Sequence, residues 1–450
     1  MDTPTTWIKD VELFTPDGRH RGDCLIKNGR IAQLGDVDGS GSDEVVEGNG
    51  RWLFPGIIDA HVHFRTPGLT HKEDWTTASA AAVAGGVTTA FDMPNVDPAT
   101  ITPQSLDDKR DLVGEQTRCN FGFFYGATAD NTDSYDTVDG VCALKIFMAM
   151  STGNLLVDKE EDLRRVFGAW DGQISVHAEN QARLDARREE FKDRTDTAVH
   201  SEIRDPKAAA DAIRLAGELA IEFGRQVHVL HTSTGAEMEA LAEVREAADQ
   251  ADTDARITAE VCPHHLVMST EMYDKWGNYA KVNPPVRPPE EQARMWQALH
   301  DGDVQMMATD HAPHRPEEKE QPYWKAPSGM PGVQTLLPVM LDAAHRDKCS
   351  PEQVVEWLCH GPTEIYGIEE RGRLEEGNWA DLTLIDPEMT REVTDADQFS
   401  RCGWTPLRGR TLSGWPTETW VNGRLAYRRE DKGQGVVRAD EGTGREVDFR

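Results

Sequence analysis

The chain has 450 residues, and 48 lysines and arginines against 79 aspartates and glutamates leave a formal charge of −31. A field this negative repels nucleic acid and anionic membranes, so neither is expected as a partner. Hydrophobic residues make up 38% and no low-complexity tract occurs, so the composition excludes global disorder and fits a folded enzyme-sized chain.

Only 14 of the 48 cationic residues are lysine. That acidic, lysine-poor balance resembles proteins of salt-accumulating halophiles, in which high salt screens self-repulsion. The N-terminal MDTPTTWIKDVEL has no basic stretch followed by an apolar one, and no window approaches the ~20 apolar residues of a membrane span, so a cytoplasmic protein is expected. Residues 6–54 alternate apolar and polar positions around turn signals, the pattern of short antiparallel strands.

From there short apolar runs alternate with helix-like segments. Strands are expected at 57–63, 87–93, 119–126, 143–148, 174–177, 227–231, 257–261 and 304–310, with helices at 75–84, 206–223 and 236–251. Eight strands with intervening helices suggest a (β/α)8 barrel, whose active site lies at the C-terminal strand ends. The last stretch, with Ala380-Asp-Leu-Thr-Leu-Ile-Asp and Thr417-Glu-Thr-Trp-Val-Asn-Gly-Arg, returns to strand patterning. Seven scattered cysteines without a CxxC pair suggest neither a disulfide framework nor a cysteine-ligated zinc.

Almost every chemistry-bearing residue ends one of the proposed strands. In Asp59-Ala-His61-Val-His63-Phe-Arg65 the histidines two apart project to one face, a natural pair of metal ligands. His177 and His231 end two later strands, with His228 a weaker competitor for His231, and Asp310 follows the apolar Gln305-Met-Met-Ala-Thr. A carboxylate there needs a charged or hydrogen-bonding partner if buried, and a metal supplies one. Lys145, inside Ala143-Leu-Lys-Ile-Phe-Met-Ala-Met, either snorkels to the strand end, or pairs with a carboxylate, or is a desolvated nucleophile that captures carbon dioxide as a carbamate.

Taken together, these residues resemble the cyclic amidohydrolase branch of the amidohydrolase superfamily, and within it the dihydroorotase family. HVHFRTPG at 61–68 resembles the first family signature, and Ala308-Thr-Asp310-His-Ala-Pro-His314, with Lys319 beyond it, the second. Met93-Pro-Asn95, His177-Ala-Glu, His231-Thr-Ser-Thr, Asn283-Pro-Pro-Val-Arg and Gly372-Arg-Leu-Glu-Glu-Gly-Asn-Trp-Ala-Asp381 follow in family order. The resemblance implies a barrel over 55–367 and a small β-sandwich built from 1–54 and 368–450. It implies one zinc held by His61, His63, carbamylated Lys145 and Asp310, and a second by His177, His231 and the same carbamate. Arg65, Asn95 and His314 are then expected to bind the substrate carboxylate and Asn283 the ring or ureido group, with His264 and His265 supporting. Some family members use an aspartate bridge or a single metal.

The implied reaction is reversible closure of N-carbamoyl-L-aspartate to (S)-dihydroorotate in pyrimidine biosynthesis. A hydroxide between two zinc ions is the expected nucleophile and Asp310 the proton shuttle. Arg65 speaks for a carboxylated ring, because a guanidinium grips a carboxylate bidentately and allantoin or simple hydantoins carry none. Two rivals are an allantoinase or hydantoinase, for which Gly332-Val-Gln-Thr is suggestive, and an inactive scaffold subunit, which loss of a ligand would mark. No ligand is missing. The Pro313–Pro331 segment is expected to form a loop over the site, and the sequence leaves the oligomeric state open, a homo-oligomer included.

Overall fold

The computed structural model describes residues 3–150, 155–429 and 435–450. Eight parallel strands, Ile57–Val62, Val87–Asp92, Asn120–Gly126, Ala143–Phe147, Ile174–His177, Gln226–Thr232, Arg256–Val261 and Met306–Met307, pair in chain order. A parallel bridge between Val62 and His311 joins the last segment back to the first, and His63 N–H donates to His311 O at 2.8 Å. Asp59 closes the same seam, accepting from the Thr309 N–H at 2.9 Å and hydroxyl at 2.6 Å. The result is the (β/α)8 barrel expected of eight apolar runs buried on both faces.

Every expected strand forms, but the eighth is shorter than 304–310. Only Met306–Met307 pair as a strand. Asp59 captures Thr309, and Asp310 takes a left-handed φ of 48°, which ends extended pairing before the carboxylate is reached.

The helices start and stop where local chemistry dictates. Asp74 caps Trp75–Ala84 by accepting from Thr77 N–H at 2.9 Å. Asp205 and Pro206 open Pro206–Phe223, and Gly224 at φ 65° closes it.

Both chain ends contribute to a second body. Thr6–Thr15, Gly18–Lys27, Arg30–Gly35, Glu44–Glu47 and Trp52–Pro55 join Leu382–Glu392, Thr411–Val421, Arg424–Arg428 and Val436–Val437 in one mixed nine-stranded sheet. This sheet curls over itself. Ala380 N–H donates to Gly29 O and Ala380 O accepts from Gly423 N–H, both at 2.9 Å, although the two glycine turns lie several strands apart in sheet order. Ile8, Leu13, Ile26, Leu53, Leu382 and Trp420 fill the enclosed core. The sheet is fastened to the barrel where the Thr383 and Thr419 hydroxyls donate to Gly86 O and Val83 O, each at 2.8 Å. Among the described residues no helix is long and apolar enough to cross a membrane, and all seven cysteines are free.

Candidate metal centre

His61 and His63 leave the first strand on one side, and their Nε2 atoms lie 3.3 and 3.0 Å from the same Asp310 Oδ1. The other nitrogen of each ring is engaged: His61 Nδ1 is 2.6 Å from Glu260 Oε1, and His63 Nδ1 is 2.8 Å from Asn95 Oδ1. An oxygen acceptor at Nδ1 fixes the hydrogen there and turns the Nε2 lone pair toward Asp310. Burial draws His63 down to about 4, keeping that ring neutral. Burial alone would raise Asp310, but the facing His61 and His63 outweigh it and hold the carboxyl well below the usual range. Imidazole lone pairs converging on a carboxylate oxygen repel one another unless a cation stands among them. The donor set therefore fits a divalent metal such as zinc, which takes histidine and carboxylate ligands.

A second pair faces this set. His177 Nδ1 lies 2.8 Å from His231 Nε2, and the His61 and His231 ring centroids are 5.3 Å apart. Burial keeps both rings of the pair below the ordinary histidine range, and His231 Nδ1 is buried without a hydrogen-bond partner among the described residues. His228 is not the alternative: its ring is engaged by Thr258 Oγ1 at 2.8 Å and Glu260 Oε2 at 3.2 Å. Two imidazoles alone are fewer than the three or four protein ligands usual for zinc, and Lys145 is a further candidate.

Lys145 is 1% exposed, and among the described residues it forms no ion pair. Burial pulls its amine down to about 7, against the pull of Asp310 and Glu260, and its charge in turn lowers His177 and His231. It therefore sits within electrostatic reach of both histidine sets. A neutral amine near pH 7 is the form that reacts with carbon dioxide.

Three residues here hold left-handed backbone without being glycine: Arg65 at φ 64°, His231 at 40° and Asp310 at 48°. Such conformations are uphill for side-chain-bearing residues and concentrate where geometry is fixed for function.

Arg65 is 1% exposed, and its Nε and Nη1 have no hydrogen-bond partner among the described residues. Burial lowers it to about 10, with Asp310 and Asp92 opposing from a distance. His314 does not satisfy it. Lys72 Nζ donates to His314 Nδ1 at 3.3 Å, so Nε2 carries the hydrogen, directed at Ser328 O at 3.1 Å, and Arg65 Nη2 stands 3.4 Å away. A buried guanidinium with unused donors is a ready carboxylate site. The loop expected over the site is anchored through Lys319, whose buried ammonium donates to Lys281 O, Pro327 O and Gly329 O at 3.1, 2.9 and 2.8 Å. Asn283 lies to one side, its Oδ1 2.8 Å from His200 Nε2.

Sequence reasoning passed over two carboxylates. Glu260 braces His61, and Glu179 Oε2 lies 2.9 Å from His177 Nε2 while pairing with Arg204. Glu260 is the lone acid inside Ile257-Thr-Ala-Glu-Val, the same signal that marked Asp310. His264 and His265 are buried with Cys262 close by; His264 Nε2 and His265 Nδ1 have no partner among the described residues.

The amidohydrolase family model matches residues 52–426. A dihydroorotase of Halobacterium salinarum is 36% identical over 427 residues, covering 93% of this chain and 96% of that protein. An allantoinase of Streptomyces avermitilis is 31% identical over 425 residues, covering 92% and 94%. Among solved structures, an L-hydantoinase (dihydropyrimidinase) from Arthrobacter aurescens superposes with a TM-score of 0.90 at 28% identity, covering 100% of both chains.

Proposed function

The chain belongs to the amidohydrolase family, and from that premise we propose that it interconverts N-carbamoyl-L-aspartate and (S)-dihydroorotate at a zinc-bearing barrel mouth. The observation that carries this reading is Arg65, buried beside the histidine and aspartate cluster with two donor groups unused. A ring bearing a carboxylate satisfies them. An uncharged cyclic ureide such as allantoin leaves them buried and unpaired, which rejects it as a substrate.

His61, His63 and Asp310 would hold one metal, and His177 with His231 a second. Lys145 would serve both as a carbamate ligand, formed when its neutral amine adds to carbon dioxide and releases a proton. When bound, the zinc ions lower the pKa of water and polarise the scissile carbonyl. Arg65 clamps the substrate carboxylate and so aims the ring amide at the cluster. Asp310 accepts the proton of the attacking water and delivers it to the ring nitrogen as the carbon–nitrogen bond breaks. In the closing direction the same carboxyl, protonated, helps expel water. Glu260 and Glu179 keep His61 and His177 in one orientation throughout.

The composition supports work in concentrated salt. The test is direct assay of zinc-loaded protein in molar potassium chloride for closure of N-carbamoyl-L-aspartate and opening of dihydroorotate. Turnover of allantoin or hydantoin in preference would assign the site to the rival reading.

A further inference from the structure

Beside the metal centre lies a cavity of about 280 Å³ whose lining includes Arg188, His200, Arg204, Lys281, Asn283 and Trp324. Among the described residues no aspartate or glutamate lines it, in a chain where acids outnumber bases 79 to 48. Its inner wall leads to the reaction site: Arg204 pairs with Glu179, and Glu179 contacts His177. At the rim Arg188 is exposed and forms no ion pair among the described residues. Lys281 Nζ is held between Tyr323 O at 2.8 Å and Ala326 O at 2.6 Å, over the Tyr323 ring. Burial first, then the charges of Arg204 and Arg188, pull Lys281 down to about 8.

We propose that this cavity is an anion-binding vestibule that captures a dicarboxylate on its way to the metal centre, with Arg188 and Lys281 supplying the charge. The ligand class rests on the proposed function: the open-chain substrate carries two carboxylates and the closed ring one, so the vestibule favours the open chain. In molar salt the Debye length is about 3 Å, so Arg188 acts by contact inside the cavity rather than by steering from a distance. Chloride is then a competitor for the same positions.

The test uses zinc-loaded enzyme at fixed ionic strength and isothermal titration with N-acetyl-L-aspartate, a dianion without the ureido nitrogen needed for ring closure. N-acetyl-L-alanine is the monoanionic control. Arg188→Gln should weaken the dianion about tenfold and the monoanion less than about threefold, with Arg188→Lys recovering most of the loss. Arg21→Gln, the same charge change on the terminal sheet, should alter neither. Equal weakening of both ligands, or none, overturns the vestibule. Enzyme that opens dihydroorotate while Arg188→Gln binds N-acetyl-L-aspartate like wild type rejects the vestibule and keeps the function. Protein that loses dianion binding on Arg188→Gln but never opens dihydroorotate does the reverse.

Discussion

Glu260 Oε1 stands 2.6 Å from His61 Nδ1 and 3.2 Å from the backbone N–H of His231, so one buried carboxylate fixes a residue in each half of the candidate metal centre. Its other oxygen faces His228 Nε2 at 3.2 Å. Burial would raise this carboxyl, but His61 and His228 reverse that and hold it at about 2. It stays an acceptor at any working pH.

Glu260→Gln keeps the shape but loses the charge and one acceptor. Zinc affinity, measured by competition with a chelator, should fall roughly 10- to 100-fold while the protein remains folded. Unchanged zinc affinity would reduce Glu260 to a packing role.

Much of this architecture is legible in the chain. Apolar runs buried on both faces mark all eight barrel strands, and a histidine or aspartate at a strand end, with one lysine inside a strand, marks the candidate site. What the sequence hides is the partnering. Glu260 reads as one acid in a strand, and its role appears only when the barrel brings it to His61, 199 residues away. The early end of the eighth strand is hidden for the same reason, because it depends on Asp59 reaching Thr309 across 250 residues. His228 and His231 share a strand and are separable only by their neighbours: Glu260 and Thr258 take one, His177 faces the other.

Lys145 makes the centre pH-sensitive in a calculable direction. Burial moves its amine from the ordinary 10.5 to about 7. Between those values the unfolded chain binds a proton that the folded chain does not, so metal-free protein should gain stability as pH rises through that window. Lys145→Met should flatten the dependence, measured by chemical denaturation at a series of pH values. Carbamate formation needs the neutral amine, so zinc reconstitution of wild type should quicken as pH passes 7 and with added bicarbonate. Lys145→Ala should lose metal and nearly all activity. Two zinc ions retained in an active Lys145→Ala enzyme would sink the carbamate bridge.

The charge of −31 sets a second dependence. Unscreened carboxylates repel one another, so thermal stability and activity should climb from dilute buffer toward molar potassium chloride. Equal melting temperatures at both extremes would count against a protein adapted to salt.

In the proposed function Arg65 bears the specificity, and the decisive measurement compares dihydroorotate with dihydrouracil, the same ring without its carboxylate, in wild type and Arg65→Met. A charge-assisted bidentate contact at a buried site is worth several kcal/mol, so wild type should favour dihydroorotate in kcat/KM by about a hundredfold or more. Arg65→Met should retain its zinc and bring the two substrates close to parity, chiefly through loss on dihydroorotate. Wild-type enzyme that opens dihydrouracil or allantoin as readily as dihydroorotate, or an Arg65→Met variant with undiminished dihydroorotate turnover, would contradict the account.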